Sequence, residues 1–167
     1  DGLILGICNG FQALIKSGLL PYGKIRELNE DSPTLTFNAI DKHMSKMVMT
    51  KIISNNSPWL MDMEEEEVHT IALSHGEGRI VITEEEYKRL YRNNQIATKY
   101  VDFNGKPSMD IQFNPNGSYY AIEGMLAHNG RIFGKMGHSE RTGRHLYKNI
   151  IGNTEQNIFR NGVRFFL

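Results

Sequence analysis

The stretch that decides the fold is LILGICNGFQALI, residues 3–15. Its first part, residues 3–7, is a short continuous apolar run, which is typical of a strand covered on both faces, as in a parallel sheet. Apolar residues then recur at helix spacing, at Phe11, Leu14, Ile15 and Leu19. Gly18 and Pro21 follow as stop signals. The sequence therefore predicts a strand, a tight turn and a helix.

The turn of this unit carries the single cysteine of the chain, Cys8. Gly6-Ile7-Cys8-Asn9-Gly10 has the layout of a nucleophile elbow, in which glycines avoid collisions with the neighbouring strand and helix. The positive end of the helix dipole predicts a lowered pKa for the thiol, and the Asn9 N–H can face a developing oxyanion. The alternative is a small buried cysteine, which is what most lone cysteines are. The glycine frame favours the nucleophile.

A thiolate nucleophile needs a proton carrier, and the chain has six histidines: His43, His69, His75, His128, His138 and His145. His138 has a carboxylate two residues further on, in Gly137-His138-Ser139-Glu140, after a predicted strand. In extended or loop backbone these two side chains face the same way, so Glu140 can orient the imidazole, whereas on a helix they would point to nearly opposite sides. We therefore expect a triad of Cys8, His138 and Glu140.

The other histidines are weaker candidates. His75 lies in a glycine-rich turn, residues 74–79, and is the alternative base, although a role in the substrate pocket is favoured. The remaining four are expected to be structural or solvated. No pair has metal-ligand spacing, so no metal site is expected.

The remaining sequence predicts an α/β fold in one domain over residues 1–167. Strands are expected within 35–53 and at 70–73, 79–82, 96–101, 120–127 and 131–135, and helices at 84–92 and 154–166. Thr83 and Glu86 form a capping box, and Asn129-Gly130 indicates a hairpin turn.

Composition excludes several classes of function. Nineteen basic and nineteen acidic side chains cancel, so there is no basic field for nucleic acid or an anionic membrane. No apolar run approaches the roughly 20 residues of a membrane span, and the first residues do not form a signal peptide. One cysteine cannot form an internal disulfide, which favours a reducing, cytoplasmic setting.

These motifs resemble those of the class I, or triad, glutamine amidotransferases, and within them the amidotransferase domains of phosphoribosylformylglycinamidine synthases. Four segments carry the resemblance and span most of the chain: Gly6-Ile7-Cys8-Asn9-Gly10-Phe11-Gln12, Ser74-His75-Gly76-Glu77-Gly78-Arg79, Asn114-Pro115-Asn116-Gly117-Ser118 and Met136-Gly137-His138-Ser139-Glu140-Arg141. The elbow alone indicates the superfamily, and the ordered blocks indicate the synthase. The family resemblance carried by these motifs implies a flavodoxin-like, mostly parallel central sheet with flanking helices.

The resemblance implies that Cys8 attacks the carboxamide of L-glutamine, that His138 carries the protons and that Glu140 orients His138. Gln12, Asn9 and the turn Ser74-His75-Gly76 are implied to contact the substrate. The ammonia released would pass to a synthetase domain, expected in the same polypeptide, which amidates formylglycinamide ribonucleotide with ATP and magnesium. No cofactor is expected in this domain, since it contains no phosphate-cradling loop.

Two departures from the family accompany the resemblance. Family members more often have prolines around the histidine, where this chain has Gly137 and Ser139. These domains also normally have earlier strands and a glycine-rich loop, so an N-terminally incomplete, poorly active domain is expected. The alternatives are another cysteine hydrolase or peptidase on the same scaffold, and a catalytically silent interaction domain.

Overall fold

The computed structural model describes residues 2–167, which form a six-stranded sheet, a two-stranded sheet and flanking helices. The strands are β1 (Ile4–Ile7), β2 (Thr34–Phe37), β3 (Met44–Ile52), β4 (Val68–His75), β5 (Glu77–Val81), β6 (Ile96–Tyr100), β7 (Ile122–Leu126) and β8 (Ile132–Lys135). The helices are α1 (Asn9–Lys16), the single turn α2 (Leu19–Tyr22), α3 (Glu84–Arg92) and α4 (Ile158–Arg164). The α/β class with flanking helices is confirmed.

The large sheet has the strand order β1-β8-β7-β6-β3-β4 and is mixed. β1 pairs with β8 in parallel, and the other ladders of this sheet are antiparallel. The expectation of mostly parallel strands therefore holds at the nucleophile strand and not across the rest of the described sheet. The physical reason is that a parallel neighbour needs a crossover connection, whereas the β3–β4, β6–β7 and β7–β8 connections contain no α-helix.

Both faces of the large sheet are buried, because side chains alternate between two apolar clusters. Met125, Ile132 and Ile96 pack in one cluster, together with Phe11 and Ile15 of α1 and Leu90 of α3. The next residue along each of these strands, Leu126, Phe133 and Ala97, packs in a second cluster with Leu60 and Ile158 of α4. Successive residues of a strand face opposite ways, so this alternation fixes the register of each strand.

The local predictions are largely confirmed. The strand, turn and helix at residues 3–15 form as expected. Thr83 accepts a hydrogen bond from the Glu86 N–H at 3.2 Å at the start of α3, but the Glu86 carboxylate binds Arg89, so only the Thr83 half of the predicted capping box is formed. The Asn129-Gly130 turn joins β7 to β8, with Gly130 at a φ of 68°. The terminal helix is shorter than predicted, and Val163 and Phe166 are exposed. Residue 1 of the predicted domain range lies outside the described residues.

Within residues 2–167, every helix is too short or too polar to cross a lipid bilayer.

The two glycines of the elbow differ in what surrounds them. A Cβ at Gly6 would lie 2.5 Å from Leu14 Cδ1 and 2.7 Å from the backbone of Gly10, so the approach of α1 to β1 requires a glycine there. A Cβ at Gly10 would meet nothing within 4 Å. The expectation that both positions exclude side chains is thus wrong for Gly10, because α1 turns that position away from the sheet.

We predict that Gly6→Ala lowers the free energy of unfolding by at least about 1–3 kcal/mol, since the added methyl collides with rigid backbone. Gly10→Ala is the matched control, and it should raise that free energy by up to about 1 kcal/mol, because alanine is favoured over glycine in a helix. Urea unfolding followed by circular dichroism measures both. Equal effects of the two variants would contradict this description of the elbow.

Candidate functional site

Cys8 lies at the junction between β1 and α1 in a backbone conformation that is rare for a side-chain-bearing residue. Its φ is 53° and its ψ is −107°, and its N–H donates to the Lys135 carbonyl at 2.8 Å. Such a conformation costs of order 1–3 kcal/mol and persists only where the surrounding structure imposes it. Strain of this kind at a cysteine, flanked by a strand and a helix, is the geometry of a nucleophile elbow.

The thiol of Cys8 is half-buried and faces the end of β4. Its Sγ donates to the Ser74 carbonyl at 3.8 Å. Burial raises the pKa of the thiol above its ordinary value, and this outweighs the lowering by the Asn9 N–H and by the Arg141 cation, while Glu140 adds to the rise. The predicted lowering of the pKa is therefore wrong, because desolvation exceeds the effect of the helix N-terminus. Burial therefore favours the thiol form of Cys8.

His138, which follows β8, also contacts β4 near the end of that strand. It forms an antiparallel bridge with Ala72, and its N–H donates to the Ala72 carbonyl at 2.8 Å. Ala72 and Ser74 are two residues apart on β4, so their carbonyls lie about 7 Å apart on the same side of the strand. Cys8 and His138 are thus docked on neighbouring positions of one strand.

The side chain of His138 is oriented by Glu140. The distance from His138 Nδ1 to Glu140 Oε1 is 2.5 Å, and the backbone here is a bridge followed by a turn, as the pairing requires. His138 Nε2 is buried and has no hydrogen-bond partner within residues 2–167. A carboxylate at Nδ1 fixes the proton there and leaves Nε2 as the free basic nitrogen. Glu140 itself is 42% exposed, and the Arg141 Nε lies 3.9 Å from its Oε1.

His75 is held in place by Asn38 and Gly78, close enough to His138 to interact with it electrostatically. Its Nδ1 lies 3.0 Å from Asn38 Oδ1, and its ring covers Gly78, where a Cβ would come within 2.2 Å of it. Burial, reinforced by the nearby His43 and His138, lowers the pKa of His75 to about 4. A neutral, packed imidazole is a poor proton acceptor at neutral pH, which leaves His138 as the better placed base.

The other residues expected to contact the substrate differ in their exposure and in whether their side chains are already hydrogen-bonded. Gln12 Nε2 donates to the Glu77 carbonyl at 2.6 Å, so this amide ties α1 to β5. Asn9 is exposed at the first position of α1, and Ser74 and Gly76 are half-buried at the end of β4. The Asn9 N–H is close enough to the thiol to lower its pKa, which is where an oxyanion donor must lie.

The block Asn114-Pro115-Asn116-Gly117-Ser118 supports the turn that carries His75. Asn116 Nδ2 donates to the Gly78 carbonyl at 2.8 Å, and the Ser118 hydroxyl donates to the same carbonyl at 3.2 Å. The Ile80 N–H donates to that hydroxyl at 3.1 Å. This block therefore holds the turn in place through the Gly78 carbonyl and the Ile80 N–H.

Sequence reasoning missed two features of the site. The exposed His43 places its Nε2 3.1 Å from the Ser74 hydroxyl, although its sequence surroundings gave no signal. Glu123 and Lys135 are fully buried beneath residues 137–140. A signal existed for this pair, because Glu123 lies inside the otherwise uncharged strand β7 and Lys135 ends the otherwise uncharged strand β8. Within residues 2–167 no group of three or more His, Cys, Asp or Glu side chains converges as a metal site.

Comparison with known proteins agrees with this geometry. The family described as the CobB/CobQ-like glutamine amidotransferase domain matches residues 1–166. The solved structure of PurLQS from Thermotoga maritima matches 99% of this chain with 28% identity and a TM-score of 0.72, and the chain spans 62% of the length of that protein chain. A glutamine amidotransferase from the same organism is a looser match, with 14% identity, a TM-score of 0.44, and coverage of 81% of this chain and 40% of that one.

We predict a pH-dependent stability that traces to His75. Its pKa is about 4 in the folded state against 6.5 for a free side chain, so between these values the unfolded chain binds a proton that the folded chain does not. The contribution is complete above pH 6.5 and is lost as the pH falls towards 4, by up to about 3 kcal/mol.

Urea unfolding of the wild type and of His75→Gln between pH 4 and 7 measures this contribution. The wild type should lose more free energy of unfolding than the variant over that interval. His128→Gln, at an exposed position, is the control and should follow the wild type. Parallel curves for the wild type and His75→Gln would contradict the assignment.

Proposed function

Because this chain belongs to the CobB/CobQ-like glutamine amidotransferase domain family, we propose that it hydrolyses L-glutamine through Cys8, His138 and Glu140. One observation carries the proposal. Cys8 and His138 are docked two residues apart on β4, and the His138–Glu140 contact of 2.5 Å leaves Nε2 of the imidazole free. A strained cysteine beside an oriented imidazole is the arrangement that nucleophilic acyl transfer requires.

The raised pKa of Cys8 defines the first step. Since burial favours the thiol form, His138 Nε2 takes the thiol proton as Sγ attacks the carboxamide carbon of glutamine. The negative charge develops on the carboxamide oxygen, where the Asn9 N–H can donate to it. Collapse of the tetrahedral intermediate breaks the carbon–nitrogen bond, and His138 returns the proton to the departing ammonia. Water then hydrolyses the glutamyl thioester, with His138 again carrying the proton.

Glu140 supports each proton transfer in this scheme. Its carboxylate accepts the Nδ1–H of His138, which keeps the lone pair on Nε2 and stabilises the imidazolium once Nε2 is protonated. The partial exposure of Glu140 weakens its interaction with that charge through solvent screening. We therefore expect its loss to cost less than the loss of His138.

The turn of Ser74, His75 and Gly76 together with Gln12 is proposed to form the subsite for the amino-acid end of glutamine. Ser74 lies directly beside the thiol, and its hydroxyl is held at 3.1 Å by His43. Gln12 acts by fixing β5 against α1, and His75 by fixing the turn on Asn38. Backbone groups of this turn are then the ones presented to the substrate.

The proposal extends to the fate of ammonia. The resemblance of four sequence blocks to those of phosphoribosylformylglycinamidine synthases, and the match to PurLQS, support delivery to a synthetase domain that amidates formylglycinamide ribonucleotide with ATP and magnesium. We expect that domain in the same polypeptide. A cysteine that must stay reduced to act also fits a cytoplasmic setting.

The direct test is glutaminase activity in the full-length protein. We expect Cys8→Ala to abolish glutamate release, His138→Asn to lower kcat by about 10³-fold or more, and Glu140→Gln to lower it by about 10²-fold or more. His128→Asn, the same substitution at an exposed histidine, should retain kcat. Glutamate release by folded Cys8→Ala would overturn the proposal, and so would a wild type that cleaves peptides or esters but not glutamine.

The amidation step has a separate test. With formylglycinamide ribonucleotide and ATP, the Cys8→Ala protein should lose the glutamine-dependent reaction and retain the reaction supported by added ammonium, because the synthetase chemistry does not use Cys8. Loss of both reactions in a folded protein, or of neither, would contradict the proposed division of labour.

A further inference from the structure

A buried pair of opposite charges lies beneath the loop that carries His138. Glu123 of β7 and Lys135 of β8 both have 0% exposure, and Lys135 Nζ lies 3.8 Å from Glu123 Oε1. The Lys135 carbonyl also accepts the N–H of Cys8 at 2.8 Å. One residue therefore contacts the backbone of the cysteine and supports, through its side chain, the region of the histidine.

The two charged groups hold both residues that flank His138. The Gly137 N–H donates to Glu123 Oε1 at 2.6 Å. Lys135 Nζ donates to the Ser139 hydroxyl at 2.7 Å and to Gln156 Oε1 at 2.7 Å, and the Ser139 hydroxyl donates to the same Gln156 oxygen at 2.6 Å. The loop is therefore anchored on each side of the histidine by charge-assisted hydrogen bonds, which are stronger than neutral ones.

Stability alone is a weak reason for burying these charges. Removing a lysine and a glutamate from water is costly, and well-packed apolar residues of similar volume commonly serve as well or better. Charged groups do provide directional bonds that apolar side chains cannot provide. Gly137 and Ser139 have small side chains, so these bonds, together with the bond from the His138 N–H to the Ala72 carbonyl, set the geometry of the loop.

We propose that Glu123 and Lys135, acting through Gly137, Ser139 and Gln156, are positioning residues that hold His138 against Cys8. This inference rests on the proposed glutaminase function for its kinetic consequence. That these bonds fix the position of residues 137–140 does not depend on which reaction the protein performs.

The smallest test is Ser139→Ala, which removes the hydroxyl between Lys135 and the loop and leaves the ion pair intact. We expect kcat for glutamine to fall about 10 to 100-fold with KM within about twofold, because a small displacement of a catalytic group has this effect. Ser57→Ala is the matched control. Ser57 is also a buried serine, whose hydroxyl donates to the Gly130 carbonyl at 2.6 Å, far from the loop in sequence. It should keep its kcat.

Glu123 provides a second variant pair. Glu123→Gln keeps an oxygen that can accept the Gly137 N–H, whereas Glu123→Ala removes it. The glutamine variant should therefore retain clearly more of kcat than the alanine variant at comparable circular dichroism. Wild-type kcat in folded Ser139→Ala, or equal kcat in the two Glu123 variants, would overturn the proposal.

Hydrogen exchange separates a failure of this inference from a failure of the proposed function. Amide exchange in residues 137–140 of the full-length protein should be about tenfold faster in Ser139→Ala than in the wild type or in Ser57→Ala, because local opening governs the rate. Unchanged exchange in Ser139→Ala would overturn the anchoring whatever reaction the wild type performs.

Discussion

The parallel pairing of β1 and β8 is the constraint on which the site depends. Ile7 is in register with Lys135, and the ladder continues into the hydrogen bond from the Cys8 N–H to the Lys135 carbonyl. Parallel strands bring their carboxyl ends to the same edge of a sheet. Cys8 follows one strand directly and His138 follows the other by three residues, so the two residues arrive at that edge together despite their separation along the chain.

The end of β4 completes this edge and gives it a fixed geometry. Ser74 contacts the Cys8 thiol and Ala72 pairs with His138. Because both contacts are on β4, this strand sets the spacing between Cys8 and His138. The neutral His75 and the block around Asn116 keep that strand end in place from the other side. The geometry of the candidate site comes from buried backbone and polar bonds, while the partly exposed Glu140 orients the His138 ring.

Sequence reasoning reached the features that local signals determine. The apolar run, the glycine at position 6 and the helix spacing after Cys8 predicted the elbow, and the i to i+2 spacing predicted that Glu140 can meet His138. The pKa of Cys8 was predicted in the wrong direction, since burial depends on β4, which is remote in sequence. The mixed sheet and the partners of Glu123 and Lys135 were missed for the same reason, because strand order and long-range pairing leave no local pattern.

The most direct measurement is a crystal structure of the full-length protein after reaction with a glutamine-analogue electrophile. The account predicts a covalent bond from Cys8 Sγ to the analogue, with His138 Nε2 within hydrogen-bonding distance of the reacting centre and Nδ1 on Glu140. An unmodified Cys8, or an adduct with His138 turned away from it, would contradict the central claim that the two strands bring these side chains together for one reaction.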